Sequence, residues 1–94
     1  MPSVRIPPPL KSYVDGQSVL SMDGETVEEV LSNLVIAYPA IKNHLFSPDG
    51  SLRTFINLFI DQDSIRNFKN DLKTKVEITT TINIIASMAG GNAN

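Results

Sequence analysis

The stretch equipped for chemistry is Ala86-Ser87-Met88-Ala89-Gly90-Gly91-Asn92-Ala93-Asn94. Two adjacent glycines sit in a run of small residues. Such a backbone, free of side chains, can lie extended in a narrow channel and bring a carbonyl up to a reactive group. A protein needs this when its own C-terminal segment is the substrate. The same composition suits a frayed end, and a Gly-Gly pair alone does not separate the two. No other group of residues forms a catalytic constellation. The absence of cysteine excludes a disulfide framework, a thiolate metal site and a cysteine nucleophile. His44 is the single histidine and cannot build a metal site with other imidazoles. Asp61 and Asp63 have the spacing that opens a calcium loop, but the glycine and the later bidentate glutamate are missing, so no metal is expected. Glu28 and Glu29 read as a solvated helix face. Arg66, Lys69, Lys73 and Lys75 form a small basic cluster that reads as a solvated loop, or as one that steers an acidic partner.

The totals set the frame for that tail. Ninety-four residues make one small domain with a modest core. The chain is 41% hydrophobic and 19% charged, ordinary for a globular fold. Its net charge of −2 offers no basic excess to neutralise phosphates, so nucleic acid is not an expected partner. No apolar run reaches spanning length, so no membrane is expected either. Met1-Pro2-Ser3-Val4-Arg5 lacks the pattern of a signal peptide, and the expected location is the cytoplasm.

The elements that must position the tail follow from local patterns. Val4-Arg5-Ile6 alternates like a half-buried strand, and Pro7-Pro8-Pro9 ends it. Asp15-Gly16 turns the chain into a second strand over 17–22, pairing with the first as a wide hairpin, and Asp23-Gly24 turns it again. Thr26 and Glu29 spell a capping box. Val27, Val30, Leu31, Leu34, Val35 and Tyr38 then make one apolar helical stripe that needs a sheet to cover, and Pro39 stops the helix. A short helical turn over 40–46 tucks in Ile41 and Leu45, with His44 at the surface, and Ser47-Pro48-Asp49-Gly50 is a turn. A strand over 54–60 directs Ile56, Leu58 and Ile60 to the helix, and Phe55, Asn57 and Phe59 away from it. After an irregular stretch anchored by Ile65, Phe68 and Leu72, a last strand spans 76–85. It has Ile78, Thr80, Ile82 and Ile84 on one face and Thr79, Thr81, Asn83 and Ile85 on the other. The expected architecture is α+β: a mixed sheet of four to five strands with one main helix packed across one face. The domain is expected over residues 1–87, with 88–94 as a flexible tail. Phe55, Phe59 and Ile85, on the far sheet face, make a docking patch unless a loop covers them.

These residues, in this order, resemble the MoaD/ThiS family of ubiquitin-like sulfur carrier proteins. The resemblance begins at Val4-Arg5-Ile6-Pro7-x-Pro9-Leu10 and continues through Thr26-Val27-x-Glu29-Val30-Leu31 and Tyr38-Pro39. It includes Phe55-Ile56-Asn57-Leu58-Phe59-Ile60 with Ile65-Arg66, and ends at Ala89-Gly90-Gly91. The central segment and the Ile65-Arg66 pair look most like the CysO-like branch, which supplies sulfide for cysteine synthesis. The resemblance implies a β-grasp fold and carrier chemistry. An E1-like enzyme would use ATP to adenylate the carboxylate of Gly91, and sulfur transfer would give a thiocarboxylate. Gly90 and Ala89 would thread the tail through the partner's channel. The carrier would not itself be an enzyme and would bind no cofactor. The sulfur would pass to an accepting synthase, of the cysteine synthase type or the molybdopterin synthase large subunit.

Three features depart from the family pattern. Asn92-Ala93-Asn94 follows Gly91, so the Gly91 carbonyl is an amide and must be freed between Gly91 and Asn92, by a JAMM-type metallopeptidase if the family's habit holds. Where the family carries a polar turn before the last strand, the aligned residues here are Ile78-Thr79-Thr80-Thr81, so either the strand is longer or the turn lies elsewhere. A proline common near Ala86 is absent. Two other readings stay open: a molybdopterin synthase small subunit, and a ubiquitin-like modifier or interaction domain. The sequence does not choose among cysteine, molybdopterin, thiamin and thiolated tRNA as destinations of the sulfur.

Overall fold

A computed structural model describes residues 1–86. The expected tail, 88–94, lies outside the described residues, as does the boundary placed at 87/88. Five strands form one sheet: β1 (Ser3–Arg5), β2 (Val19–Ser21), β3 (Ile56–Ile60), β4 (Asp63–Ser64) and β5 (Thr81–Ala86), in the order β2-β1-β5-β3-β4. β1 and β5 run parallel and the other neighbours antiparallel, so the sheet is mixed. The main helix, α1 (Val27–Ala37), packs across one face, and a short α2 (Lys42–Leu45) follows it.

The core is where the two periodicities meet. Val27, Val30, Leu31 and Leu34 of α1 are buried against Val4, Leu20, Leu58, Ile82 and Ile84 of the sheet. Ile41 and Leu45 close one end. At the helix start, the Thr26 hydroxyl oxygen accepts the Glu29 N–H at 3.2 Å. The reciprocal bond comes from one residue earlier than the usual box: the Glu25 N–H donates to Glu29 Oε1 at 3.0 Å. Helix dipole and carboxylate still match, because Glu28 and Glu29 occupy the first turn. Gly24 enters this cap at φ +148°, and a Cβ there would stand 2.7 Å from the Val30 N, so only glycine fits without displacement. In the 47–50 turn, the amide and hydroxyl of Ser51 both donate to Asp49 Oδ1 and hold that carboxyl below its usual range.

Four local expectations change. The last strand begins at Thr81, five residues later than expected. The Glu77 N–H donates to Thr80 Oγ1 at 2.9 Å and the Thr80 N–H to the Glu77 carbonyl, closing a turn over 77–80. Ile78 sits at that turn, 77% exposed, and does not share the buried face of Ile82 and Ile84. β3 begins at Ile56, leaving Thr54 and Phe55 in the preceding turn. The proline run, expected only to end the first strand, also opens a 3-10 segment, Pro8–Val14, that buries Leu10 and Val14. His44 is half-buried and stacked on Tyr13 rather than lying free at the surface.

Candidate functional site

The candidate site is built around the end of β5, the strand that leads into the small-residue segment with the two glycines. β5 is the middle strand of five, paired with β1 through Thr81, Ile82 and Asn83 and with β3 from Ile82 to Ala86. Pro7 explains why the β1 ladder stops at Asn83: the Ser3 N–H bonds the Thr80 carbonyl at 2.9 Å, so alternate residues face β5, and Pro7, next in that series after Arg5, has no N–H to donate. β5 therefore leaves the sheet held on the β3 side alone, with Ala86 opposite Ile56. The root of the tail is anchored by Ile82 and Ile84, which are fully buried or nearly so. A terminus that must enter another protein gains reach from such a rigid base, since little of its motion is lost into the domain.

Two surfaces flank this root. The sheet face turned away from α1 carries Phe59 and Ile85 as diagonal neighbours: Phe59 pairs with Asn83, and Asn57 with Ile85. Ile85 is 43% exposed, while Phe59 is half-buried. Phe55, grouped with them by alternation, stands apart. It is 39% exposed in the turn before β3 and lines a cavity of about 260 Å³ with Pro9, Leu10, Tyr13, His44 and Ala86. The Tyr13 and His44 rings stack in that wall with centroids 4.1 Å apart. No sequence signal joins Tyr13 to His44, because they come from separate segments brought together by the packing of the Pro8–Val14 segment on the Pro39–Ile41 turn. A second cavity, of about 330 Å³, lies along α1 between Leu31, Val35, Phe46 and Leu72. Ala89, Gly90, Gly91 and Asn92, the residues expected to carry and release the reacting carboxyl group, lie outside the described residues.

Among the described residues no cluster of three or more histidine, aspartate, glutamate or cysteine side chains could hold a metal ion, and no helix is long and apolar enough to cross a membrane. The basic cluster is exposed; within it, Lys73 Nζ lies 3.4 Å from Glu28 Oε1. With both side chains largely in water, that pair adds little to stability.

Comparison with known proteins extends this geometry. The ThiS family matches residues 4–91. The chain is 31% identical over 91 residues to the sulfur carrier protein CysO of Mycobacterium tuberculosis, covering 95% of this chain and 97% of that protein. The CysO in the crystal structure of the Amycolatopsis orientalis BexX/CysO complex superposes with a TM-score of 0.85 at 27% identity, over 97% of this chain and 100% of that one. The solution structure of small archaeal modifier protein 1 from Methanosarcina acetivorans also superposes at 0.85, with 28% identity, over 96% of this chain and 95% of that one. The five-stranded mixed sheet with its crossing helix is thus a ubiquitin-like β-grasp, and its likeness lies with the CysO-like branch. With the family match running from the first strand to the second of the two tail glycines, the chain belongs to the ThiS family.

Proposed function

We propose that this chain is a sulfur carrier whose reactive group is the carboxylate of Gly91, exposed once Asn92-Ala93-Asn94 is removed. The observation that carries the reading is where the family match ends. It stops at Gly91, five residues past the last described residue of a central, well-anchored strand. The names of the curated relatives support it, since they are sulfur carrier proteins matched over nearly their whole length.

The chemistry follows from the poor reactivity of a carboxylate. Its oxygen is a bad leaving group until it is phosphorylated. In the proposed cycle an E1-like enzyme lets the Gly91 carboxylate attack the α-phosphorus of ATP. Pyrophosphate leaves and an acyl-adenylate forms. Hydrosulfide, HS⁻, then attacks the acyl carbon, AMP leaves with the C–O bond broken, the thiol proton is lost, and a thiocarboxylate results that donates sulfide to an acceptor. Cysteine synthesis is the proposed destination, by likeness to the CysO branch. ATP and the catalytic residues belong to the partner. The carrier contributes reach, a side-chain-free terminus and a docking surface around Phe59 and Ile85, with Phe55 at the tail root. The processing step, hydrolysis between Gly91 and Asn92, is assigned to a metallopeptidase of the JAMM type.

A second reading is favoured by one specific observation: the structural likeness to a small archaeal modifier protein. On that reading Gly91 forms an isopeptide bond to a lysine of another protein. The two readings separate chemically, because one ends in a carbon–sulfur bond and the other in an amide.

The direct test is Gly91→Ala in the chain trimmed to end at position 91. The added methyl is expected to leave the fold unchanged and to abolish adenylation, measured as ATP–pyrophosphate exchange with the cognate activating enzyme. Unchanged exchange would remove Gly91 from the proposed role.

A further inference from the structure

We propose that this chain pairs with a second copy of itself along α1. The two helices lie antiparallel about a twofold axis, and Ile36 of each copy seats in the groove beside α1 of the other. The inference is independent of the carrier reading, because it uses the side of the sheet that carries α1 and leaves the opposite face uncovered.

The surface holds both a hollow and a projection. The hollow is the cavity of about 330 Å³ along α1, floored by Leu31 and Val35 of the helix, by Phe46 after α2, and by Leu72 in the 3-10 turn Asp71–Lys73. The projection is Ile36, which stands at the edge of that cavity and is 75% exposed. Among the described residues only Ile78 leaves a comparable share of a large apolar side chain in water. Glu28, Ser32 and Ile36 follow one another at intervals of four residues, so they share one line along the helix, about 12 Å long. Ser32, in the middle of the line, is exposed and short, and lets a second helix come close.

Charge selects the occupant. Two charged residues line the cavity, and they come from opposite ends of the helix: Glu28 is in the first turn of α1, and Lys42 opens α2 past its far end. A surface with a negative end, an apolar middle and a positive end is complementary to itself turned end for end. A twofold axis through the middle sets Glu28 against Lys42 of the second copy, and by symmetry does so twice. It also sets each exposed Ile36 over an apolar floor. A peptide carrying charge of one sign would satisfy one end and oppose the other. Within the chain, Lys73 Nζ lies 3.4 Å from Glu28 Oε1, but both groups are largely in water, so that pair does little to withhold Glu28. Lys42 makes no ion pair among the described residues. A contact built on one helix and its flanks is small, so the dimer is expected to dissociate at about 100 μM.

The experiment is sedimentation equilibrium of the full chain at low salt, from about 10 μM to about 1 mM, a range that brackets the expected dissociation constant. The wild type should pass from monomer to dimer. Ile36→Asp should stay monomeric throughout, with an unchanged circular dichroism spectrum because the side chain is exposed. Glu28→Lys and Lys42→Glu each place two like-charge contacts in the symmetric dimer, and each should weaken it about tenfold. An equimolar mixture of these two variants should recover the dimer, since only the mixed pair sets opposite charges at both ends. A wild type that is monomeric at every concentration would overturn the proposal. So would a dimer that survives Ile36→Asp, or a mixture that associates no better than either variant alone.

Discussion

Ile84 and Ile85 are adjacent, identical in type and opposite in role, and replacing each with alanine separates folding from recognition. Ile84 is 2% exposed and paired with Leu58 at the centre of the sheet; Ile85 is 43% exposed on the far face. Removing three carbons from Ile84 forfeits about 2.4 kcal/mol of transfer free energy. The cavity left behind raises the cost to about 3.5 kcal/mol, within the range for such core truncations. A domain of 94 residues has a total stability of roughly 5–14 kcal/mol, so this one change removes a quarter or more of it. At a urea dependence of about 1 kcal/mol per molar, the midpoint falls by about 3.5 M. Ile85→Ala loses only the buried half of its side chain and leaves no enclosed void, about 1 kcal/mol and about 1 M. Its effect belongs to docking, where an exposed apolar contact is lost. The assay is urea denaturation followed by circular dichroism, with affinity for the activating enzyme measured on the same samples. If Ile85→Ala destabilised as much as Ile84→Ala, or if Ile84→Ala weakened docking without destabilising, the facing of β5 and the account of the tail root would both be refuted.

Other expectations concern the cap and the patch. Thr26→Ala removes the oxygen that accepts the Glu29 N–H and should cost about 1 kcal/mol in urea denaturation, most of it restored by Thr26→Ser. Gly24→Ala forces a Cβ against the Val30 backbone at φ +148° and should lower stability by about 1–3 kcal/mol, seen as a melting temperature lower by several degrees; an unchanged melt would contradict the close approach. Phe59→Asp, on the far face, should weaken docking to the activating enzyme about tenfold with the far-ultraviolet spectrum retained; an unchanged affinity would take Phe59 out of the interface.

Much of the fold was legible because its main elements carry strong local signals. The helix was bounded by a cap and a proline, with a full apolar stripe between them, and α1 ends at Ala37 as Pro39 requires. The alternation of Ile56, Leu58 and Ile60 fixed the inward face of β3. Other features depended on contacts remote in sequence. Ile78-Thr79-Thr80 looks like strand by β-branching, but the Thr80 hydroxyl captures the Glu77 N–H and makes a turn, a competition between side chain and ladder that propensity does not reveal. β4 is two residues long and exists only through its pairing with β3. Glu29 accepts from the Glu25 amide instead of that of Thr26, a choice of partner set by the local chain path and not by the motif. Alternation carried back to residue 54 puts Phe55 on the outer face, but β3 begins at Ile56, and packing places Phe55 with Tyr13 and His44 at the cavity beside Ala86. Arg5 and Val19 lie side by side on the far sheet face through strand register alone.

The central claim is that Gly91 is a carrier terminus, and the intact mass of the protein recovered from its native cells tests it most directly. The account predicts a chain ending at Gly91, part of it with one carboxylate oxygen exchanged for sulfur. A mass that retains Asn92-Ala93-Asn94 under every growth condition would contradict it.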